Sequence, residues 1–261
     1  MNLPISFVAC PNLKRLGQSN DGGYVICGCL PSEVDELISM GVNDDWSFEK
    51  HLYRYFGLQA VYAYDHSVSF IHFLEKSAVS IPKYFLHRMG FREFIRSFTL
   101  PLRYQLFFRK SCTHFKLKVT NKGGSTNDTT IDEIFAKTSS CRIFVKIDIE
   151  GSEYKIIADL LKYARRIEGL VVEFHETIFL RSFFIDALNQ ISLEFDLVHA
   201  HGNNFEGLDL ESSLPEVLEM SFVPKRRHFV TEKFAYFPLP LLDQANNPRV
   251  KDLEFQLSFK E

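Results

Sequence analysis

The chain lacks most features that mark a specialised class of protein. One tryptophan and four methionines occur in 261 residues, and 33 acidic side chains nearly cancel 30 basic ones. So close a balance removes the global electrostatic case for nucleic-acid binding. No run of eighteen apolar residues exists, and Met1 to Asn12, with Pro4 and Pro11, has no basic stretch ahead of an apolar core. Neither a membrane span nor a secretory leader is expected, and the expected location is cytoplasmic. The five cysteines (Cys10, Cys27, Cys29, Cys112, Cys141) are odd in number and scattered, and Cys27-x-Cys29 is too tight for a zinc knuckle. Reduced thiols are the default for such a set. Internal repeats and long low-complexity tracts are also missing.

Glycine is scarce where a nucleotide site needs it. There is no P-loop, and no G-x-G-x-x-G to let the backbone approach a pyrophosphate at a helix N-terminus. The corresponding loop reads Gly41-Val42-Asn43-Asp44-Asp45, one glycine followed by two acids. Two carboxylates there repel a pyrophosphate and suit a cofactor carrying an ammonium and a sulfonium, which points away from NAD.

What is present is an alternation of strands and helices long enough for a substantial core. Its organising stretch is Phe144-Val145-Lys146-Ile147-Asp148-Ile149-Glu150-Gly151-Ser152-Glu153. The segment from Arg142 to Ile147 has the composition of a buried parallel strand, and Ile156, Ile157, Leu160 and Leu161 have helical spacing. Asp148 therefore falls at the carboxyl end of a central strand, where open α/β sheets bind ligands. Helix capping by Asp148 and Glu150 is the plainer alternative. A first strand is expected from Glu33 to Gly41, then a helix carrying Trp46, Phe48, Leu52, Tyr53 and Phe56 and closed by Gly57. A second strand, Ala60 to Asp65, ends in an acid placed for ribose hydroxyls. Further strands are expected at His114–Thr120, Gly169–His175, Phe195–His201 and Val217–Phe222, with helices near Thr130–Phe135 and Phe183–Ile191. Asn20-Asp21-Gly22-Gly23 ahead of Tyr24-Val25-Ile26-Cys27 signals a hairpin, expected as an appendage before the sheet. The fold class is α/β, a doubly wound Rossmann-like sheet in one domain, 1–261.

Residues 80–110 interrupt that rhythm. Lys83, Arg88, Arg92, Arg96, Arg103, Arg109 and Lys110 face a single acid, Glu93, among many phenylalanines and tyrosines. A helical insertion is expected. It has four readings: a packed cap with a solvated basic face, a binder of a phosphorylated or nucleotide-linked acceptor, a contact to an anionic membrane surface, or an RNA contact.

Two segments carry a family resemblance. Ser39-Met40-Gly41-Val42-Asn43-Asp44-Asp45-Trp46-Ser47-Phe48-Glu49 and Lys146-Ile147-Asp148-Ile149-Glu150-Gly151-Ser152-Glu153 resemble the FkbM-type family of S-adenosylmethionine-dependent methyltransferases, and Asp21-Gly22-Gly23-Tyr24 resembles a related branch. The resemblance implies a class I methyltransferase fold of seven strands and O-methylation of sugars or other small hydroxylated molecules. It implies S-adenosylmethionine as cofactor, bound by Ser39, Met40, Gly41, Val42, Asn43, Glu49, Asp65, His66 and Asp148. Gly41 and its neighbours would hold the methionine part, Asp65 the ribose, and Asp148 would lie near the transferred methyl. The basic insertion and the missing second glycine of the first loop depart from the family pattern.

On the acceptor side, methyl transfer needs the nucleophile positioned and relieved of a proton, and histidine is the natural base near neutral pH. His175, His199 and His201 fall at carboxyl ends of expected strands, beside Glu173, Glu176, Asn203 and Asn204. Asp148 and His175 are the expected catalytic pair. Glu150, Glu173, His199, His201 and Asn203 are expected around the acceptor, a glycan or small molecule; no nucleic acid and no resident metal are expected. A structural role for some histidines, and a divalent ion held with Asp148, are the alternatives. A catalytically silent binding module docking anionic partners through the insertion is a second functional reading, and a nicotinamide oxidoreductase a third.

Overall fold

The computed structural model describes residues 2–30 and 34–259. The expected start of the first strand, Glu33, and the terminal Met1 lie outside the described residues. Nine strands form the main sheet: β1 (Phe7–Ala9), β2 (Glu36–Met40), β3 (Ala60–Tyr64), β4 (Cys112–Phe115), β5 (Ile143–Ile147), β6 (Ile167–Phe174), β7 (Phe195–Gly202), β8 (Leu218–Pro224) and β9 (Val230–Glu232). Their order is β9-β1-β7-β8-β6-β5-β2-β3-β4. From β4 to β6 every pairing is parallel, while β8 runs antiparallel between β6 and β7. The expected seven strands are all present. The expectation fell short by two, because β1 and β9 extend the edge beyond β7.

Alternation along the strands explains why the sheet is covered on both faces. In β2 and β5, Ile38, Met40, Ile143, Val145 and Ile147 enter one core, whereas Leu37 and Phe144 enter the other. Every residue of β5 and β6 is buried, as expected of strands covered on both sides. Each fully buried aliphatic side chain contributes roughly 1.5–3 kcal/mol. Helices α5 (Ile131–Ala136), α6 (Ile157–Leu161) and α7 (Arg181–Ile191) cover the first face; α1 (Ser47–Phe56) and a hairpin, Leu13–Leu16 with Tyr24–Cys27, cover the second. Gly57, left-handed at φ 66°, closes α1 as expected. The expected helix near Thr130 starts with a capping box between Thr130 and Glu133.

The hairpin is not an appendage. All four residues of Tyr24–Cys27 are buried, and Ser221 on β8 donates its hydroxyl to the Val25 carbonyl at 2.5 Å. It also brings Cys10, Cys27 and Cys29, scattered in sequence, into one cluster of free thiols.

The insertion begins earlier than expected. Three helices, α2 (Phe70–Phe85), α3 (Phe91–Phe98) and α4 (Leu100–Phe107), lie between β3 and β4. Their inner side joins a small core of Val42, Trp46, Ala63, Val68, Phe73 and Leu100, so the insertion rests on the first sheet loop.

Candidate active site

The loops after β2, β3, β5 and β6 open on one cleft of about 710 Å³ at the carboxyl ends of the parallel strands. Gly41 ends β2 with φ 84°, and a Cβ there would stand 1.7 Å from the Asp148 carbonyl oxygen. Only glycine fits, because the β2 and β5 loops touch through backbone. The Gly41 amide donates to the Tyr64 carbonyl at 2.9 Å and the Asp148 amide to the Met40 carbonyl at 2.9 Å, so three strand ends are locked together.

Lys146 extends this lock from inside. Its ammonium donates to the Gly41 carbonyl at 2.7 Å and lies 3.3 Å from Asp148 Oδ2 and 3.6 Å from Glu49 Oε1. Burial disfavours the charge, but Glu49 and Asp148 outweigh it and raise the lysine above its ordinary range. A buried ammonium is tolerable only with such partners.

Asp65 caps the first loop. Its Oδ2 accepts the Val42 and Asn43 amides at 3.0 and 2.8 Å, and its Oδ1 accepts the Ser67 amide and hydroxyl at 2.8 and 2.6 Å. Burial pushes this carboxyl up, yet those bonds prevail and hold it below the usual range. All four acceptor directions are thereby engaged by the protein. Asp44 pairs with Lys76, and Asp45 takes Gln18 and lies 3.9 Å from Arg96. The first-loop acids are thus partly neutralised by the insertion. The missing glycines, more than charge, carry the argument against a pyrophosphate.

The cleft wall carries Asp148, Glu173 and His175, whose oxygen and nitrogen atoms lie within 4.8 Å of one another. Tyr24, wholly enclosed, donates to Glu173 Oε2 at 2.9 Å and lies 3.1 Å from Asp148 Oδ2. Asn203 donates to Glu173 Oε1 at 3.1 Å. Burial, then Asp148 and Glu219, push Glu173 well above the carboxylate range. Glu153 is fully buried; its Oε1 meets His175 Nδ1 at 2.8 Å and accepts the Ile149 and Gly151 amides. That contact directs His175 Nε2 toward Glu150 and Glu173, at 3.6 and 3.9 Å. Burial lowers the imidazole, but Glu153, Glu173 and Asp148 outweigh it and raise it to about 9. His175 is therefore an imidazolium at neutral pH, not the neutral base expected from sequence.

Gly41, Val42, Asn43, Asp65, His66, Asp148, Glu150, Glu173, His175 and Asn203 all border the cleft. Five expected site residues do not. Ser39, Met40 and Glu49 are buried beneath the loop; Ser39 donates to Glu49 at 2.6 Å, making that pair a strut. His199 lies 3.0 Å from Asp243, and His201 sits between Glu219 and Asp252 at 3.3 and 3.1 Å. Both histidines are buried and hold the C-terminal segment. The sequence reading missed Tyr24, Lys146 and Glu153 as site-forming groups. A charged residue inside an otherwise apolar strand was the available signal for Lys146.

The donor set fits S-adenosylmethionine. Carboxylates of Asp44, Asp45 and Asp148 line the cleft with apolar Val42, Leu117 and Val119, groups that suit a sulfonium and a purine. The family model of the methyltransferase FkbM domain matches residues 103–205. Over those residues the chain is similar to the methyltransferase FkbM domain, in keeping with S-adenosylmethionine as its cofactor. The match covers β4 to β7 and the Lys146–Glu153 segment, and stops short of the first loop. No curated protein matches the chain. Among solved structures, a Methanococcus jannaschii fibrillarin pre-rRNA processing protein is 8% identical, with TM-score 0.38 over 74% of this chain and 67% of that one. A precorrin-6y C5,15-methyltransferase from Geobacter metallireducens is 9% identical, with TM-score 0.36 over 74% and 82%. TYW2 of M. jannaschii, in complex with AdoMet, is 12% identical, with TM-score 0.31 over 76% and 72%. Values at this level say nothing about the acceptor of the FkbM-type chain.

Proposed function

We propose that this FkbM-type methyltransferase transfers a methyl group to a hydroxyl of a carbohydrate or surface-glycan precursor. The observation that carries this reading is the Asp148–Glu173–His175 trio on the cleft wall, with Glu150 and Asn203 beside it. Asp148 and the exposed Glu150 bring carboxylate oxygens to the cleft that can accept from hydroxyl donors, as a sugar requires.

S-adenosylmethionine, when bound, supplies the methyl group on a sulfonium. Gly41, Val42, Asn43, His66 and Asp148 would hold it, on a loop whose shape Asp65 fixes rather than by an Asp65 contact to the ribose. Asp148 keeps its orientation because Oδ2 is fixed by Tyr24 and Lys146. His175 Nε2 is the atom assigned to take the acceptor proton, once it has lost its own. Fixing the acceptor against it supplies the positional part of the rate, and proton removal adds roughly 10²–10⁴-fold. The trio also has one nitrogen and two carboxylate ligands suited to a divalent cation.

The test is transfer of labelled methyl from S-adenosylmethionine to a panel of neutral glycans, sugar phosphates, sugar nucleotides and RNA. Label in an ether-linked methyl of a glycan is expected, lost in His175→Ala and Asp148→Ala. Label found only in RNA or on nitrogen would overturn the reading.

A further inference from the structure

The three-helix insertion is inside out relative to an ordinary cap. On α2 the buried positions are Phe73, Ser77 and Ser80, two of them serines. The exposed positions include Ile71, Leu74, Ala78, Ile81 and Phe85, spaced i, i+3, i+7, i+10 and i+14. At the helical repeat these fall within about 80° of the circumference, a continuous apolar stripe on the solvent side. Phe91, Ile95 and Phe98 make a second stripe on α3, and Leu102 and Leu106 a third on α4, all exposed. Phe85 is 72% exposed and Phe91 63%. The inner side of the insertion already packs on Trp46 and Val42, so these outer residues are not a displaced core. The α2 and α3 stripes meet where Tyr84 packs on Phe91, and monomeric proteins rarely leave so many large apolar side chains exposed on adjoining helices without a partner.

Charge selects the partner. Residues 70–110 carry Lys76, Lys83, Arg88, Arg92, Arg96, Arg103, Arg109 and Lys110 against Glu75 and Glu93. Lys83, Arg88, Arg92, Arg109 and Lys110 have no carboxylate partner among the described residues, and Arg92 flanks the α3 stripe. An apolar face rimmed by unpaired cations is the signature of a segment lying in an anionic lipid interface. A second copy of this chain would bring the cations together. Nucleic acid would satisfy the charge but leave Ile71, Leu74, Ile81, Leu102 and Leu106 without a counterpart. Among the described residues no helix is long and apolar enough to cross a membrane.

We propose that the α2–α4 insertion docks the enzyme on an anionic lipid bilayer, with the apolar stripes in the acyl boundary and the arginines among the headgroups. Arg96 on α3 also borders the cleft, so docking sets the cleft mouth near the membrane surface. The proposal does not depend on the acceptor assignment.

The experiment is flotation of the full chain with vesicles of phosphatidylcholine alone, or of equimolar phosphatidylcholine and phosphatidylglycerol. Binding is expected only to the anionic vesicles and is expected to weaken with salt. Combining Phe85→Ser with Phe91→Ser should reduce partitioning about tenfold or more. Arg88→Gln with Arg92→Gln should reduce it roughly thirtyfold. All four side chains are exposed, so an unchanged thermal transition verifies folding. Absence of flotation, equal flotation with both vesicles, binding to RNA but not vesicles, or a dimer abolished by the phenylalanine variants would each overturn the proposal.

Discussion

Glu153→Gln separates the two things Glu153 does. In the native chain Glu153 Oε1 meets His175 Nδ1 and accepts two loop amides, while Oε2 has no partner. Glutamine retains an oxygen for the amides but removes the negative charge that, against the opposing effect of burial, contributes most to lifting His175 from 6.5 to about 9. That lift corresponds to about 3 kcal/mol between the two protonation states, shared among Glu153, Glu173 and Asp148. In the native enzyme about one molecule in a hundred has a neutral His175 at pH 7, so the rate should climb with pH and level off near 9. In Glu153→Gln the histidine should titrate well below its native value, and the rise should end at correspondingly lower pH. A new amide NH2 facing no partner should cost about 1–3 kcal/mol of stability. The assay is the pH profile of methyl transfer beside an NMR titration of the His175 ring. A native ring titrating near 6.5, or a variant profile still levelling near 9, would refute the reasoning.

Other outcomes follow from the same contacts. Tyr24→Phe leaves Glu173 and Asp148 without their common donor; it should lower kcat more than it weakens cofactor binding, and lose about 1–3 kcal/mol in denaturant unfolding. Gly41→Ala forces the β2 and β5 loops apart and should abolish cofactor-dependent thermal stabilisation, which a binding titration would show directly. His201→Ala leaves Glu219 and Asp252 facing each other beneath the C-terminal segment and should cost about 3–5 kcal/mol. Burial lowers His201, but Asp252 and Glu219 raise it to about 10. Its charge therefore stabilises the fold fully below its unfolded value, and that contribution fades as pH rises through 10, a trend urea unfolding across pH would detect.

The parallel strands were legible because burial on both faces leaves an apolar run that ends abruptly at a carboxylate on the cleft, as at Ile147-Asp148. Gly41 and Gly57 were legible as chain punctuation, although the close approach of the Asp148 carbonyl to Gly41 was not. Partners far apart in sequence were hidden. Tyr24 meets Glu173 across 149 positions, and His199 meets Asp243 across 44. No periodicity encodes such pairings, so the histidines of β7 read as site residues when they anchor the tail. Strands β1 and β9 span three residues each, too short to alternate visibly. The apolar outer stripe of α2 has the composition of core, so in the sequence the insertion stands out only from residue 80, ten residues after α2 begins.

Calorimetric titration of the chain with S-adenosylmethionine and, separately, NAD tests the cofactor site most directly. A saturable heat for S-adenosylmethionine, weakened in Asp148→Ala, and none for NAD are expected. Absence of binding by S-adenosylmethionine, or equal binding by NAD, would contradict the S-adenosylmethionine assignment.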